Sequence, residues 1–244
     1  MALLEVEGVS KRFGGVQALT GVTLEVEGGR LVGLIGPNGA GKTTLFNVIS
    51  GIFRPDQGRI RFKEQDLTGR SPHETCHRGI ARTFQIVQPF ARLSVVENVA
   101  AAVLFGRKGK RLRRQAAERE AEGLLHYGKL SEKARRPAAT LTLSERKRLE
   151  MVRALATGPD LLLLDEVLAG LTPQETEEMG EIIRKVQREL GLAILLIEHN
   201  LRAVMSLSES LVVLNHGTVI ANGSPEAVAR DPAVITAYLG EARK

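Results

Sequence analysis

The stretch Gly36-Pro37-Asn38-Gly39-Ala40-Gly41-Lys42-Thr43 decides the fold of this 244-residue chain. It matches the pattern G-x-x-x-x-G-K-[ST] of a phosphate-binding loop. The glycines allow backbone N–H groups to curl around phosphate oxygens, and the helix that follows directs the positive end of its dipole at the same place. We expect Lys42 to reach the β- and γ-phosphates of a nucleotide, and the Thr43 hydroxyl to bind Mg²⁺. Thr44 is predicted to belong to the same binding segment.

The residues on either side of the loop predict the setting that such a loop requires. Leu31–Ile35 is a continuous apolar run, typical of a strand buried on both faces, and a helix is predicted from about Lys42 to Ser50. The order of strand, glycine-rich loop and helix argues against an ordinary glycine turn.

Further apolar runs predict a sheet around this strand. Leu161–Asp165 and Ala193–Ile197 each follow a predicted helix, so we expect a mostly parallel sheet with helical crossovers. Residues 3–7 and 22–26 alternate between apolar and polar side chains, as half-buried antiparallel strands do. The predicted fold class is α/β: a P-loop NTPase core with a mostly parallel sheet and an N-terminal antiparallel β subdomain.

A charged segment interrupts this pattern. Residues 107–136 carry many charges, with apolar side chains at helical spacing, which indicates an inserted helical subdomain. We predict one domain over residues 1–244. Its core comprises residues 1–85 and 158–244, and the helical subdomain comprises residues 86–157.

Candidate catalytic groups follow two of the apolar runs. Asp165 ends the first of them and Glu166 comes next. Asp165 is predicted to hold Mg²⁺, and Glu166 is the candidate general base for the attacking water. His199 follows the other run, at the edge where open α/β sheets bind ligands, and we expect it to hydrogen-bond the γ-phosphate. Glu166, His199 and Lys42 form the predicted catalytic set.

The composition is that of a globular protein with a basic surface. Hydrophobic residues make up 43% and charged residues 25%, and the net charge is +6. This charge suits a nucleotide, a nucleic acid or an anionic membrane surface, and also a merely solvated surface. Aromatic residues make up only 4% and Trp is absent, which argues against surfaces that stack on sugars or single strands. Cys76 is the single cysteine, which excludes an internal disulfide and a cysteine zinc cluster.

The N-terminus does not resemble an export signal. Residues 1–7 carry acids where a signal peptide needs basic and then apolar residues, and no apolar run approaches the roughly 20 residues of a membrane span. We expect a cytoplasmic chain that reaches a membrane only through a partner.

Together these residues resemble the nucleotide-binding subunits of ABC transporters over nearly the whole chain. The resemblance implies an ATPase that uses ATP and Mg²⁺. It matches Phe13 to the aromatic residue that stacks on adenine, although a core aromatic is the alternative interpretation. It matches Gln85, in the run 82–85, to the glutamine loop, which contacts Mg²⁺ and the water and faces the membrane subunits.

The segment 141–150 resembles the signature helix of that family, whose pattern is Leu-Ser-Gly-Gly-Gln or a close variant. In the family, two subunits pair head to tail, and the signature helix of one closes over the γ-phosphate held by the other. The resemblance therefore assigns Thr142, Ser144 and Glu145 to nucleotide binding. The simpler interpretation is that Thr142 and Glu145 form a capping box; the match that continues through residues 148–156 favours the signature helix.

Several positions depart from the family pattern. Thr142 stands where Ser is usual, which keeps a hydroxyl, and Ser144 stands where the second Gly is usual. Val167 stands where Pro commonly follows the catalytic Glu, and Thr172 stands where Asp is frequent. A Cβ at a place of close backbone approach crowds the phosphate. We therefore expect a competent but slow ATPase, with Ser144→Gly raising turnover. Thr172 is expected to cap the next helix.

Several segments resemble the branched-chain amino acid uptake branch of the family: residues 198–200, 215–217, 221–225 and 237–241, with the charged insertion. The resemblance implies import of branched-chain amino acids, working with a second ABC ATPase subunit, two transmembrane permease subunits and a periplasmic or extracellular solute-binding protein. The chain would then sit on the inner face of the cell membrane, and no nucleic acid partner is expected.

The alternatives are a soluble ABC ATPase acting on nucleic acid or ribosomes, an exporter motor of the lipopolysaccharide type, and a nucleotide-binding regulator that does not hydrolyse ATP. The first usually carries two motor halves or a long coiled-coil insertion, and this chain has neither. Retention of Lys42, Asp165 and Glu166 argues against the regulator. A Ras-like GTPase is excluded because the sequence has no Asn-Lys-x-Asp motif.

Overall fold

The computed structural model describes residues 2–84, 88–107 and 112–239. The chain forms two compact units, one from Met1–Pro72 together with Ala193–Lys244, the other from His73–Leu192. The predicted helical subdomain, residues 86–157, falls within the second unit, and its predicted bounds stay a prediction.

The first unit contains a four-stranded antiparallel sheet in the order β2-β1-β4-β5. Its buried side chains alternate along the strands: Leu4, Val6 and Val9 on the first strand are fully buried, while the residues between them are more exposed. Alternation of this kind is what one packed face and one solvated face produce. The strands are β1 (Ala2–Phe13), β2 (Val16–Glu27), β4 (Gln57–Phe62) and β5 (Gln65–Asp66).

The first unit also contains the strand that precedes the phosphate loop. This strand, β3 (Leu31–Ile35), pairs in parallel with β8 (Ala193–Ile197) on one side and β9 (Ser210–Asn215) on the other. Every residue of β3 and β8 is buried, as expected of strands covered on both faces. The last strand, β10 (Thr218–Gly223), pairs antiparallel with β9. The helices of this unit are α1 (Lys42–Ile49), α7 (Leu201–Leu207), α8 (Pro225–Ala229) and α9 (Pro232–Leu239).

The second unit combines a short parallel strand pair with helices. The strands are β6 (Ile80–Arg82) and β7 (Leu161–Asp165), with Arg82 at the end of one and Asp165 at the end of the other. One buried core is formed by valines of the helix Val95–Phe105 together with Leu149 and Val152 of the helix Leu143–Ala156. The helices are α2 (Pro72–Arg78), α3 (Val95–Phe105), α4 (Arg114–Leu124), α5 (Leu143–Ala156) and α6 (Pro173–Leu190), with 3₁₀ segments at Leu125–Gly128, Ser131–Lys133 and Ala138–Thr140.

The predicted α/β fold class, with its antiparallel N-terminal sheet, mainly parallel core strands and inserted helices, is confirmed. Thr172 caps α6 as expected: its hydroxyl accepts the Glu175 N–H at 3.3 Å, and Glu175 accepts the Thr172 N–H in return. Within the described residues, none of the helices combines the length and apolar character needed to cross a membrane.

Candidate active site

The phosphate loop runs from the end of β3 into α1 and holds its lysine in place. Lys42 Nζ donates hydrogen bonds to the Gly36 carbonyl at 2.7 Å and the Pro37 carbonyl at 3.0 Å. The side chain is only 6% exposed. The ammonium group is thus oriented inside the curl of the loop, where a phosphate oxygen is a natural further acceptor.

Two glycines of the loop have no room for a side chain. A Cβ on Gly36 would lie 2.0 Å from the Leu214 carbonyl oxygen, and one on Gly41 would lie 2.6 Å from the Ala18 carbonyl oxygen. Both residues have positive φ, 149° and 102°. The turn between β9 and β10 braces the loop from the same side, because Gly217 N–H donates to the Ala40 carbonyl at 2.9 Å.

The start of α1 differs from the start of α5 and α6. Gly41 occupies the N-cap position and, because it has no side chain, makes no capping hydrogen bond to the first turn. Thr142 and Thr172 cap their helices with side-chain oxygens. The start of α1 thus has no cap side chain to compete with an anion, as the glycine pattern predicts for a phosphate-binding loop. Thr43 is exposed at this end and Thr44 is partly buried.

Phe13 ends β1 and presents its ring to solvent. It is 41% exposed, and its ring packs edge-on against Phe53 with centroids 5.0 Å apart. Lys11 Nζ lies 5.5 Å from the ring centroid and also pairs with Asp56 at 2.8 Å. A half-exposed aromatic face held by a neighbouring ring suits stacking on a flat base.

His199 is exposed and lies just beyond the C-terminal end of β8, as the sequence predicts. Asn200, the next residue, caps α7 by accepting the Ala203 N–H at 3.1 Å. The Asn200 cap marks the start of α7, and it therefore restricts the position of His199 in the loop between β8 and α7.

The acidic strand end lies in the second unit and is tightly held. Asp165 is 2% exposed, and its carboxylate accepts a hydrogen bond from Arg82 Nη2 at 2.7 Å. Its N–H donates to the Thr83 hydroxyl at 3.1 Å. The guanidinium and the Thr83 hydroxyl thus fix the position of Asp165 at the end of β7.

Glu166 adopts an unusual backbone conformation. Its φ is 51°, in the left-handed region, at a cost of about 1 kcal/mol or more for a residue with a side chain. Lys147 Nζ donates to its carbonyl oxygen at 2.9 Å. The strained conformation is thus maintained by a specific contact from α5, as is common at functional sites.

The capping box that the sequence offered as an alternative is formed at the start of α5. Thr142 Oγ1 accepts the Glu145 N–H at 3.3 Å, and Glu145 Oε2 accepts the Thr142 N–H at 3.1 Å. Glu145 also pairs with Lys133. Desolvation acts to raise the pKa of Glu145, but the Lys133 and Thr142 hydrogen bonds outweigh it, so the pKa is lowered. A signature helix that starts with a carboxylate meets an anion less favourably than one that starts with the family's Gln.

Neighbouring side chains at the start of α5 differ in their exposure to solvent. Ser144 is 3% exposed, whereas Leu143 is 49% exposed. Thr142 and Leu143 are thus exposed at the start of α5, whereas the Ser144 side chain faces inward. The effect of Ser144 on turnover stays a prediction.

Two predicted features fall partly or wholly outside the described residues. Gln85 lies outside them, and so do residues 108–111 of the charged segment 107–136. At the start of that segment, Arg107 pairs with Asp160 and donates to the Gly158 carbonyl at 3.1 Å. It is therefore engaged within the second unit.

Sequence reasoning missed three charged residues at the acidic strand end: Arg82, Lys147 and Glu150. A signal was present for two of them, because Lys147 and Glu150 lie three residues apart among the buried positions of α5. Charged residues on a buried helix face indicate specific partners. For Arg82, the sequence contains no comparable signal.

Comparisons with known proteins identify the family of the chain. Residues 19–169 match the family model described as ABC transporter, and residues 218–244 match the one described as branched-chain amino acid ATP-binding cassette transporter. The chain is 41% identical over 251 residues to the high-affinity branched-chain amino acid transport ATP-binding protein BraF of Pseudomonas aeruginosa, covering 98% of each chain. It is also 41% identical over 252 residues to the corresponding protein LivG of Escherichia coli K12, covering 98% of each.

A solved structure shows the same fold. A crystal structure described as the ADP conformation of an ATP-binding cassette of an ABC transporter superposes with a TM-score of 0.88 at 33% identity, covering 99% of this chain and 100% of that one. The resemblance drawn from the motifs is thereby confirmed. The chain belongs to the ABC transporter family, as an ATP-binding protein of the branched-chain amino acid type.

Proposed function

We propose that the chain is the ATP-hydrolysing motor subunit of an importer of branched-chain amino acids. The observation that carries the ATP-binding part is the open start of α1: an uncapped helix N-terminus behind a glycine loop, with Lys42 oriented inside it. The names of the relatives and the match of residues 218–244 support the solute. The motor itself does not contact the solute, so the solute rests on this likeness alone.

The proposed roles follow the family motifs. The loop Gly36–Thr44 binds the phosphates, with Lys42 placed for the β- and γ-phosphates, and Phe13 stacks on adenine. His199 hydrogen-bonds the γ-phosphate.

The metal proposed is Mg²⁺, with Thr43, Gln85 and Asp165 as its protein ligands. The described residues fit such an ion, because Mg²⁺ is usually held by one or two carboxylates together with substrate phosphates rather than by a full protein cage. When bound, the ion supplies charge neutralisation at the transferred phosphate.

The proposed chemistry is attack of water on the γ-phosphate. Glu166 orients this water and accepts its proton, and ADP leaves with the electrons of the broken bond. Lys147 holds the backbone carbonyl of Glu166, and this contact helps to fix the position from which the Glu166 side chain extends.

The proposed partners follow from family architecture. Two motor subunits bind ATP between them, with Thr142, Ser144 and Glu145 of one facing the nucleotide of the other. When the two motor subunits close, the glutamine loops transmit this movement to two transmembrane permease subunits at the inner face of the cell membrane. A periplasmic or extracellular solute-binding protein delivers the solute. ATP must bind the closed dimer better than the open one to drive this change.

One experiment tests the assembly. Tagged Glu166→Gln protein is purified from solubilised membranes of its host with ATP present, and its co-purifying proteins are identified. Glu177→Gln, an exposed acid on α6, is the matched control. We expect Glu166→Gln to retain polytopic membrane subunits and a second motor, with ATPase activity at least about 100-fold below the control.

The other outcomes separate the parts of the proposal. Recovery of ribosomes or nucleic acid instead of membrane subunits would contradict transport while leaving the ATPase chemistry intact. Unchanged ATPase activity in Glu166→Gln would contradict the role of that carboxylate. Uptake of radiolabelled leucine and of unrelated amino acids by vesicles holding the recovered complex decides the solute.

A further inference from the structure

Glu150 is a buried carboxylate that the proposed chemistry does not use. It lies on α5 and is 8% exposed. Its Oε1 accepts the Phe84 N–H at 2.6 Å. Its Oε2 is buried and, within the described part of the chain, has no hydrogen-bond partner. Desolvation raises the pKa of this carboxyl, so burial here is unfavourable for the charged group.

The residue that Glu150 holds is the last described residue before Gln85. The residue before it, Thr83, is bound to the acidic strand: its N–H donates to the Leu163 carbonyl at 3.0 Å, and its hydroxyl accepts the Asp165 N–H at 3.1 Å. Thr83 therefore belongs to the strand pair, whereas Phe84 is tied to α5. The chain changes its attachment from β7 to α5 at the point where the glutamine loop begins.

The same helix also holds the residue after Asp165. Lys147, one turn before Glu150 and 6% exposed, donates to the Glu166 carbonyl at 2.9 Å. Thr83, Phe84, Lys147, Glu150, Glu166 and Val167 line one small cavity. The two charged residues of α5 thus reach the start of the glutamine loop and the candidate catalytic glutamate from one face of one helix.

We propose that Glu150 is a positioning residue that ties Phe84, the residue before Gln85, to the signature helix, so that α5 places Phe84 and Glu166 together. The role of the glutamine loop in this inference rests on the proposed function, whereas the contact between Glu150 and Phe84 is observed independently of it. A carboxylate suits this purpose because its hydrogen bond to a backbone N–H is charge-assisted. An apolar residue would pack here without the cost of desolvating a charged group, but the Phe84 N–H would then lose its hydrogen-bond acceptor.

The first test measures the contact without any activity. Amide hydrogen exchange of the peptide covering residues 83–90 is compared in the wild type, Glu150→Ala, Glu150→Gln and the control Glu122→Ala. Glu122 is an acid on α4 that pairs with Arg135 near the surface. We expect exchange about tenfold faster in Glu150→Ala, near wild type in Glu150→Gln because the amide oxygen still accepts the bond, and unchanged in the control.

The second test separates positioning from general stability. In the ATPase assay, we expect Glu150→Ala to lower kcat about tenfold while KM for ATP stays within about twofold, and Glu150→Gln to restore most of kcat. Equal exchange at residues 83–90 in all four proteins would overturn the proposal. So would faster exchange spread evenly over the chain with a parallel rise in KM, which indicates mere destabilisation. If the wild type hydrolyses no ATP, the proposed function fails, and the exchange experiment still decides the role of Glu150.

Discussion

Arg82 Nη2 lies 2.7 Å from Asp165 Oδ2, and the two side chains are only 7% and 2% exposed. The two residues end neighbouring parallel strands, β6 and β7, so the sheet itself brings the charges together. A pair of this kind contributes little net stability relative to apolar residues, but removal of one partner leaves the other charge buried and uncompensated. The guanidinium therefore holds the carboxylate of the proposed metal ligand in place.

Arg82→Ala is expected to destabilise the chain by about 3 kcal/mol. The measurement is urea unfolding at pH 7. Arg61→Ala is the control, since Arg61 pairs with Glu5 and Glu7 at a surface where its own side chain is 42% exposed, and its loss should cost under about 1 kcal/mol. Equal stability of the two variants would show that the buried pair is not needed.

The phosphate loop offers a matched pair of glycines. A Cβ on Gly36 would lie 2.0 Å from the Leu214 carbonyl oxygen, whereas nothing lies within 4 Å of one on Gly39. Both have positive φ, so both alanine variants carry backbone strain. We expect Gly39→Ala to lose about 1 kcal/mol and Gly36→Ala clearly more, about 3 kcal/mol, since backbone must move. Thermal unfolding of the two variants measures the difference, and similar losses would contradict the clash.

The sequence predicted those parts of the fold that rest on local physics. Uninterrupted apolar runs identified β7 and β8 with the bounds that the structure has, because full burial needs apolar residues at every position. The strands of the antiparallel sheet are longer than predicted: β1 runs to Phe13, although residues 3–7 carry the clear alternation. Register shifts in the pairing of β1 with β2 break the alternation beyond Val6, so periodicity alone ends too early.

The candidate site was predictable where a motif dictates backbone shape, and not where side chains meet across elements. Lys42 and the neighbouring glycines lie in one short loop, and their sequence pattern predicts that this loop binds phosphate. The contacts of Arg82 with Asp165, and of Glu150 with Phe84, join residues 83 and 66 positions apart. No short pattern encodes such distances, and only the paired strands and the packing of α5 produce them.

Glu97 provides a prediction for the acid range. Its carboxylate accepts the Ser94 N–H at 2.9 Å and the Ser94 hydroxyl at 2.8 Å, closing the capping box of α3, and these bonds lower its pKa. A lowered pKa in the folded state contributes stability that is present above the unfolded value, about 4.3, and is lost as the pH falls through the folded value. Glu97→Gln keeps a capping side chain without this titration.

We therefore expect urea midpoints between pH 5 and pH 3 to fall more steeply for the wild type than for Glu97→Gln. Other carboxylates titrate equally in both proteins, so the difference between the two curves isolates Glu97. Parallel curves would contradict a lowered pKa at this position.

The start of α5 yields the last prediction. Glu145 occupies the place of the family's Gln, bonds to the Thr142 N–H at 3.1 Å and pairs with Lys133. If this helix faces the γ-phosphate of a second subunit, Glu145 brings a negative charge toward an anion, and the partial neutralisation by Lys133 limits the penalty. Glu145→Gln keeps the capping box and removes the charge. We expect it to tighten ATP-dependent dimerisation about fivefold, when measured in the Glu166→Gln background by light scattering across protein concentration.

Two controls give this measurement its meaning. Glu175→Gln makes the same change in the similar capping box of α6, where Thr172 is the cap, and should leave dimerisation unchanged. Raising the salt concentration should shrink the advantage of Glu145→Gln, because screening weakens the repulsion that it relieves. If Glu145→Gln and Glu175→Gln dimerise alike at low salt, α5 does not meet the nucleotide of a second subunit through this end, and its capping box is structural only.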